Sequence, residues 1–169
     1  MTYQPREDSL FLQEYLEEQE LAGKKVLDMG TGSGILAVTA AEKEADVTAA
    51  DIDPGALEDA EELAEEKDVD VEFVESDLFD NVEGKFDLVV FNPPYLQGDR
   101  FNALEGGESG VELTSRFLQQ SAEHLEEEGE VIFIASSRSD VDSLQNEFEL
   151  ELLDTRKLWF ETLYLFKSD

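Results

Sequence analysis

Apolar residues recur along the chain at two alternating spacings, one typical of helices and the other typical of strands. The helical spacing predicts helices over residues 9–20, 35–44, 55–67, 109–128 (ended by Gly129) and 141–148. Shorter apolar runs predict strands over residues 25–28, 46–51, 69–76, 86–91, 131–135, 150–158 and 159–166. Strands without polar alternation belong to parallel sheets that helices cover on both faces. The order predicts one doubly wound α/β domain over residues 1–169, with a seven-stranded, mostly parallel sheet that ends in an antiparallel hairpin.

Charge is the feature of the composition that departs furthest from an ordinary domain. Lysine and arginine together number 12, aspartate and glutamate 43, and the formal net charge is -31. The acidic residues are spread along the chain, and 11 phenylalanines, 4 tyrosines and 1 tryptophan indicate a packed core rather than a disordered acidic tail. Such a surface suits molar salt, where screening within about 3 Å removes self-repulsion, and it indicates a salt-loving archaeon. Binding of a strongly basic partner is the alternative explanation.

The residues that the chain lacks exclude several kinds of protein. It has no cysteine, which excludes disulfides and cysteine-ligated metals, and its single histidine, His124, cannot build a zinc site alone. His124 lies among glutamates on a predicted helix and is expected at the surface. No apolar run approaches the roughly 20 residues of a membrane span, and the N-terminus has no secretory signal pattern. We therefore expect a cytoplasmic enzyme that holds no metal ion of its own.

A glycine-rich turn joins the first predicted strand to the helix that follows it. Its sequence is Asp28-Met29-Gly30-Thr31-Gly32-Ser33-Gly34. Glycines permit a tight turn and let a ligand lie close against the backbone at a helix N-terminus. Dinucleotide-binding proteins use a similar turn, and a turn that binds nothing is the structural alternative. The glycines Gly30, Gly32 and Gly34 therefore predict a ligand at this turn without identifying it.

Two carboxylates follow later strands of the predicted sheet. Asp51 ends the second strand about 20 residues after the glycines, where a carboxylate can accept hydrogen bonds from both ribose hydroxyls. Asp77 follows the third strand and could accept from an adenine amino group, with Ile52 and Leu78 on the two faces of the ring. Alone, Asp77 would be an ordinary loop carboxylate. Its register with Asp28 and Asp51 favours ligand binding.

The most specific motif, Asn92-Pro93-Pro94-Tyr95, follows the fourth predicted strand. Two prolines fix the backbone and remove its donors, so the turn is rigid and its carbonyls are free to accept. The Asn92 side-chain oxygen and the Pro93 carbonyl can together accept both hydrogens of a planar NH2 group, while Tyr95 stacks on its face. Accepting those hydrogens concentrates electron density on the nitrogen and orients it for in-line attack on a methyl donor. A proline turn that only ends a strand would require neither the asparagine nor the tyrosine.

Together these motifs resemble those of the HemK-like release-factor glutamine N5-methyltransferases, specifically their single-domain archaeal and eukaryotic branch. The opening segment Tyr3-Gln4-Pro5-Arg6-Glu7-Asp8-Ser9 is similar to the opening motif of that branch, and the resemblance covers nearly the full length. The family implies a Rossmann-like class I methyltransferase fold in which residues 1–20 cover the cofactor, with Ser9 near its methionine moiety. It also implies that S-adenosylmethionine is contacted by Asp28, Gly30, Thr31, Gly32, Asp51, Asp77 and Asn92. Gly106, Gly107 and Gly110 resemble the flexible loop that follows the motif in this family.

The resemblance also implies two protein partners. The implied substrate is the Gly-Gly-Gln loop of a class I peptide-chain release factor, methylated on the glutamine side-chain nitrogen. Members of this branch are similar in working with a small zinc-binding activator subunit. Residues 69–74 alternate apolar and acidic side chains on the predicted edge strand, and an exposed edge invites pairing with another chain in a heterodimer. An acidic edge that repels its neighbours explains the same pattern equally well.

Two other functions compete with glutamine methylation. Amino methylation of a nucleic-acid base, at adenine N6 or guanine N2, uses the same planar nitrogen. It normally requires base flipping and a basic groove, whereas the basic residues Arg100, Arg116, Arg138, Arg156 and Lys157 are scattered. A silent subunit that only binds cofactor is the other alternative, and the intact Asn92 and Tyr95 argue against it. The sequence leaves open whether Trp159, between the last two predicted strands, is a core anchor or an exposed contact.

Overall fold

The computed structural model describes residues 6–93 and 111–169. Within these ranges five α-helices and seven strands alternate along the chain. The helices are α1 Glu7–Glu17, α2 Ile35–Glu42, α3 Pro54–Glu66, α4 Glu112–Ser121 and α5 Val141–Glu147. The strands are β1 Lys25–Met29, β2 Asp46–Asp51, β3 Glu72–Glu75, β4 Phe86–Phe91, β5 Leu125–Ser136, β6 Glu151–Lys157 and β7 Thr162–Ser168. The predicted α/β alternation is confirmed.

The seven strands form one sheet in the order β3-β2-β1-β4-β5-β7-β6. Strands β1 to β5 are parallel, whereas β7 runs antiparallel to both of its neighbours, β5 and β6. The predicted mostly parallel sheet with an antiparallel hairpin at its end is therefore confirmed. The strand order reverses between β1 and β4. Open α/β sheets bind their ligands at such a switch point, beyond the carboxyl ends of the strands.

Alternate residues of the central strands pack on opposite faces of the sheet, and both faces are buried. On one face, Val26 of β1 and Val90 of β4 belong to a core cluster that includes Phe11 of α1. On the other face, Val89 of β4 belongs to a second cluster that includes Phe117 of α4. Burying one such side chain stabilises the fold by about 1.5–3 kcal/mol. The two clusters explain why the strands are almost continuously apolar in sequence, and they hold the carboxyl ends of the strands in place.

The segment after α4 differs from the prediction of one helix over residues 109–128. The helix ends at Ser121, a 3₁₀ turn follows over Ala122–His124, and β5 begins at Leu125. Leu125 pairs with Phe86 of β4. Glutamate and leucine are good helix formers, but pairing with β4 overrides their local preference. The prediction of helix over residues 125–128 was therefore wrong.

Gly129 does not end a helix, as the sequence suggested, but lies inside β5. A Cβ atom at this position would lie 2.6 Å from the carbonyl oxygen of Phe86, which is closer than any side chain tolerates. The glycine is required because β5 carries extra residues where its register with β4 shifts, and the two backbones come close together there. The first two residues of the predicted helix, 109 and 110, lie outside the described residues.

The third strand is shorter than the predicted range 69–76 because α3 ends with two reciprocal turn hydrogen bonds. Asp68 is left-handed, with a φ of 54°, and its N–H donates to the Glu65 carbonyl at 3.1 Å. The Val69 N–H donates to the Ala64 carbonyl at 3.0 Å. This is a Schellman motif with aspartate where glycine is usual, and it keeps residue 69 out of the sheet. Strand β3 is nevertheless at the edge of the sheet, as predicted.

The terminal hairpin turns over residues 158–161 rather than at a single junction between two longer strands. The Leu158 N–H donates to the Glu161 carbonyl at 2.8 Å and closes the turn. Trp159, predicted to begin a strand, lies in this turn instead, and its side chain is exposed to solvent. Trp159 is therefore not a core anchor.

Candidate functional site

The carboxyl ends of four neighbouring strands bring the predicted ligand-binding residues to one edge of the sheet. Met29, the last residue of β1, pairs with Ala50 of β2 on one side and with Phe91 of β4 on the other. The glycine turn follows β1 directly. Side chains at or just beyond the ends of β2, β3 and β4 are those of Asp51, Asp77 and Asn92. These residues therefore converge on the switch point of the sheet.

The glycine turn folds with three glycines in left-handed conformations. The φ angle is 67° at Gly30, 54° at Gly32 and 86° at Gly34. The N–H groups of Gly30 and Thr31 both donate to the Ala50 carbonyl, at 2.8 and 3.0 Å, and tie the turn to β2. A Cβ atom at Gly32 would meet nothing closer than 4.0 Å, and α2 begins without a side-chain cap. The turn therefore leaves open space beside a helix N-terminus, where a polar ligand can lie against the backbone.

Asp28 is buried at the end of β1. Its Oδ2 accepts from the Thr31 hydroxyl at 2.7 Å and from the Ala37 N–H at 3.1 Å. Its Oδ1 is buried and has no hydrogen-bond partner among the described residues. Burial raises the pKa of Asp28 to about 7, and the two hydrogen bonds oppose that rise. A buried carboxylate with one oxygen unpaired is suited to a ligand that brings positive charge or a hydrogen-bond donor.

Asp51 holds the backbone of the site together in addition to facing it. Its Oδ2 accepts from the Gly32 N–H at 2.9 Å, and its Oδ1 accepts from the Asp53 N–H at 2.9 Å. Desolvation raises the pKa of Asp51, and these two donors oppose the rise. Each carboxylate oxygen has a further lone pair, so acceptance from ribose hydroxyls is compatible with both bonds. The sequence did not indicate that Asp51 also fixes the glycine turn.

The three residues predicted around an adenine ring differ in their exposure. Ile52 is 52% exposed just beyond β2, so its side chain is open to a ligand. Asp77 is also exposed, and its carboxylate lies 3.8 Å from the Arg116 guanidinium. Leu78 is buried in the core cluster and has a left-handed φ of 50°. Ile52 and Asp77 therefore remain candidates for direct contact with an adenine ring. Leu78 is buried, so its side chain packs in the core and is much less accessible to the ring.

Asn92 follows β4 and lies against the start of α1. Its side-chain NH2 donates to the hydroxyl of the buried Ser9 at 3.3 Å. The Asn92 Oδ1 is buried and has no hydrogen-bond partner among the described residues. Within the described part of the chain, this oxygen is therefore available to accept a hydrogen bond from a ligand. Other residues of the predicted substrate site lie outside the described residues: Pro94, Tyr95, Gly106, Gly107 and Gly110.

Three buried side-chain atoms in the described part of the chain have no hydrogen-bond partner. They are Asp28 Oδ1, Ser33 Oγ and Asn92 Oδ1. Asp28 lies near the end of β1, Ser33 in the turn that follows β1, and Asn92 just after β4. Because buried polar atoms are normally paired, three unpaired ones at one sheet edge indicate a place for a ligand. S-adenosylmethionine carries ammonium, amino and hydroxyl donors for such acceptors, so the residues present fit this cofactor.

Three residues at this edge were not predicted as part of the site. Ser33 lies within the glycine turn, and its unpaired hydroxyl is the signal. Asp8 is buried in the first turn of α1, and its carboxylate accepts from the Ser9 N–H at 2.8 Å. The Phe91 ring would lie 3.5 Å from a Cβ atom at Gly30, so it borders the turn. No sequence pattern separates this phenylalanine from one that only fills the core. Residues 3–5 of the opening segment lie outside the described residues.

In the described ranges, no group of three histidine, cysteine or acidic side chains is placed to hold a metal ion. His124 stacks on Phe79 with ring centroids 4.5 Å apart, and its Nδ1 lies 3.1 Å from the Gly84 carbonyl oxygen. It is half-buried rather than a free surface residue. Among residues 6–93 and 111–169, no helix combines the length and the apolar character needed to cross a membrane.

Two relatives and a family match bear on this site. The family described as Methyltransferase small domain matches residues 7–157. A provisionally assigned protein N5-glutamine methyltransferase of Methanocaldococcus jannaschii is 34% identical over 180 residues, covering 98% of this chain and 90% of that protein. The release factor glutamine methyltransferase of Deinococcus radiodurans is 40% identical over 125 residues, covering 65% of this chain. The match spans 45% of that longer enzyme.

A solved structure agrees with this chain over nearly its whole length. It is the E. cuniculi Mtq2-Trm112 complex, described as responsible for the methylation of the eRF1 translation termination factor. The TM-score is 0.78 at 26% identity, and the match covers 99% of this chain and 97% of that chain. The fold described above is therefore shared with a chain from a methylating complex.

Proposed function

The chain belongs to the methyltransferase small domain family and is an S-adenosylmethionine-dependent methyltransferase, and we propose that it methylates the side-chain amide N5 of a glutamine. The proposed substrate is the Gly-Gly-Gln motif of a class I peptide-chain release factor. The name of the Methanocaldococcus relative supports methylation of a glutamine, and that of the Deinococcus relative supports a release factor as the substrate. The observation that carries it is the Asn92 Oδ1, a buried acceptor without a partner among the described residues.

Asn92 addresses the weak nucleophilicity of an amide nitrogen, whose lone pair is delocalised into its carbonyl. The Asn92 Oδ1 and the Pro93 carbonyl would accept the two N–H hydrogens, which concentrates electron density on the nitrogen and fixes its direction. S-adenosylmethionine supplies the methyl group on a sulfonium. The Ser9 hydroxyl accepts from the Asn92 NH2 at 3.3 Å. In this orientation the amide oxygen can accept from the substrate NH2, whereas a flipped amide would present donors to it.

An assay with two kinds of acceptor tests the proposal. Purified chain is incubated with methyl-labelled S-adenosylmethionine and either the release factor of the same organism or its total tRNA and rRNA. We expect label in the release factor and none in a variant whose motif glutamine is replaced by glutamate. Label in nucleic acid alone would contradict the proposal and favour methylation of a base amino group.

Cofactor binding should weaken as the pH falls below neutrality, because Asp28 is then protonated. Its pKa of about 7 without ligand places the change between pH 5 and 8. A cationic cofactor favours the ionised carboxylate, so we expect the Kd to rise up to about tenfold per unit below pH 6. Isothermal titration calorimetry from pH 5 to 8 measures the effect.

The Asp28→Asn variant is the matched control for this pH dependence. It should bind the cofactor weakly, with a Kd that varies much less between pH 5 and 8. The stability of the cofactor-free protein should depend on pH in the opposite direction to cofactor affinity. Because the pKa of Asp28 is raised in the folded state, its contribution to the free energy of unfolding is complete below about pH 4 and is lost as the pH rises through about 7. A wild-type Kd that is constant over this range would remove Asp28 from the cofactor site.

We also propose a small zinc-binding activator subunit that adds a strand to the edge of β3, giving a heterodimer. Strand β3 is the last strand on one side of the sheet, with Glu72 and Glu75 exposed and Phe73 half-buried. Strand β6 forms the opposite edge, but its register with β7 is irregular between Leu152 and Asp154. Such an irregularity disfavours the addition of another strand to β6. The assembly of E. cuniculi Mtq2 with Trm112 supports a partner of this kind.

Hydrogen exchange on the heterodimer tests where the activator pairs. The sequence suggested that the activator pairs with residues 69–74. Residues 69–71 are not in the sheet, so we now propose that it pairs with β3. We expect alternate amides of residues 72–75 to become protected when the activator binds, while those on the outer side of β6 stay as they were. An intact complex that leaves the β3 amides unprotected would contradict strand addition.

The halophilic origin is likewise a proposal, supported by the 43 acidic residues against 12 basic ones. Repulsion among these charges opposes folding and is screened by salt. We expect the thermal midpoint to rise steadily between 0.1 and 3 M KCl. A midpoint that is highest at low salt would contradict this origin.

A further inference from the structure

Two aromatic side chains stand in solvent at the tip of the β6–β7 hairpin. Trp159 is 92% exposed and Phe160 is 84% exposed. Their ring centroids lie 5.9 Å apart with the planes tilted by 59°, so the rings form one apolar patch. Adjacent large apolar side chains in solvent usually mark a binding surface.

Hydrogen bonds and side-chain contacts anchor the hairpin near its tip. Beyond the bond that closes its turn, the Thr162 N–H donates to the Ser137 hydroxyl at 2.8 Å, and the Ser137 N–H donates to the Thr162 carbonyl at 2.9 Å. The Arg156 guanidinium lies 4.4 Å from the centroid of the Phe11 ring and pairs with Glu14, which ties the hairpin to α1. A partner would therefore meet a hairpin backbone that is already held in place, so that ordering the backbone on binding costs little.

The hairpin tip lies at the same sheet edge as the catalytic site. Because β7 is antiparallel to β5, its start is beside the carboxyl end of β5, where Leu163 pairs with Ser136. A groove of about 600 Å³ separates the tip from the start of α1, and its lining residues are Glu7, Arg156, Lys157, Leu158 and Trp159. Glu7 lies two residues before Ser9, whose hydroxyl accepts a hydrogen bond from Asn92. The groove and the Ser9–Asn92 contact therefore both adjoin the first turn of α1, on different faces of that helix.

Basic side chains are divided between the two edges of the sheet. The described basic residues on the catalytic side are Arg6, Arg116, Arg138, Arg156 and Lys157. Those at the opposite edge, where the parallel strands begin and the helices end, are Lys24, Lys25, Lys43, Lys67, Lys85 and Lys167. Lys157 and Arg138 form no ion pair within the described part of the chain. A chain of net charge -31 therefore presents two unpaired basic groups around the hairpin tip.

We propose that the Trp159–Phe160 tip, the groove and Lys157 form the docking surface for the protein substrate. The occupant is an acidic segment of the release factor that carries apolar side chains and lies outside the methylated loop. This inference rests on the proposed function. The acceptor at Asn92 contacts a single side-chain amide, whereas a specific protein complex buries roughly 800 Å² on each partner. Tryptophan and arginine are the residue types that contribute most at such interfaces.

Unpaired RNA bases could also stack on exposed aromatic rings, but the surroundings of the tip favour a polypeptide. Proteins that bind single strands line a continuous basic groove with their aromatic side chains. Here the groove is lined by Glu7 as well as by Lys157, and Arg156 is already paired with Glu14. A mixed-charge groove beside an apolar tip suits a protein segment that combines carboxylates with apolar side chains.

A double variant, Trp159→Ser with Phe160→Ser, tests the docking surface by steady-state kinetics on two substrates. Both side chains are exposed, so the fold should be retained. For the intact release factor we expect the KM to rise at least tenfold with kcat unchanged. For a short peptide that carries only the Gly-Gly-Gln loop, and for the Kd of S-adenosylmethionine, we expect no change. Lys157→Glu alone should raise the KM for the intact release factor about threefold.

Matched controls lie at the far edge of the sheet. Leu152→Ser removes another exposed apolar side chain from β6, one that is 49% exposed, and Lys67→Glu makes the same charge change elsewhere. Neither should alter the KM. An active wild type and an unchanged KM in the double variant would overturn the docking surface alone. A wild type that does not methylate the release factor would overturn the proposed function and this inference with it. Loss of tRNA binding in the double variant with an unchanged KM would assign the tip to RNA and overturn the inference.

Discussion

Replacing Asn92 by alanine should lower kcat for release-factor methylation by about a hundredfold to a thousandfold. Alanine removes the Oδ1 acceptor that the buried site otherwise leaves unpaired among the described residues, and nothing else there replaces it. The affinity for S-adenosylmethionine should change by no more than about 1–2 kcal/mol, because Asn92 offers the cofactor at most one hydrogen bond. Single-turnover transfer of label and calorimetric titration of the cofactor measure the two quantities separately.

Ser9→Ala is the matched control for this prediction. It removes the hydroxyl that holds the Asn92 NH2 at 3.3 Å but leaves the Oδ1 acceptor in place. We expect a loss of about tenfold, because one orienting hydrogen bond of roughly 1.5 kcal/mol is lost. If Asn92→Ala weakened cofactor binding as much as transfer, Asn92 would be a cofactor residue and its role toward the amide would be wrong.

The sequence could predict that the candidate residues share one edge of the sheet, because they lie at the ends of parallel strands. Asp28, Asp51, Asp77 and Asn92 each end or follow a predicted strand, and parallel strands bring their carboxyl ends to one edge. What the pattern could not supply is the arrangement between those residues. The bond from the Gly32 N–H to Asp51 links positions that only the left-handed glycine turn brings together.

Fold prediction failed where local preference and tertiary pairing disagree. Residues 125–128 have the composition of a helix end, yet Leu125 pairs with Phe86 and the backbone continues as a strand. Gly129 looked like a helix terminator because glycine often follows a helix. Glycine is required at this position because β4 approaches closely. This approach depends on how two segments pair, so the sequence of neither segment alone reveals it.

The proposed docking surface also depends on tertiary structure that the sequence does not reveal. The two aromatic residues at positions 159 and 160 could equally have packed inside the last two strands, and only the turn over residues 158–161 exposes them. The distribution of the basic residues between the two edges of the sheet also cannot be read along the chain, because it depends on which ends of the strands and helices share an edge.

Gly34→Ala should lower the free energy of unfolding by about 2–5 kcal/mol, through two separate effects. The φ of 86° at Gly34 is left-handed, which costs a residue with a Cβ atom about 1–2 kcal/mol. That Cβ would also lie 2.7 Å from the Cβ and 2.8 Å from the Cα of Ala60. Helix α3 would have to move away from the glycine turn, and such overpacking typically costs about 1–3 kcal/mol.

Gly23→Ala separates these two effects and makes the prediction sharp. Gly23 has a similar left-handed φ of 76°, but a Cβ atom there would meet nothing within 4 Å. Its substitution should therefore cost only the backbone contribution, about 1–2 kcal/mol. Urea unfolding of both variants in the same high-salt buffer measures the difference. If Gly34→Ala lowered the free energy of unfolding no more than Gly23→Ala, α3 could move away from the glycine turn at no cost. The stability of the turn would then not depend on its close contact with α3.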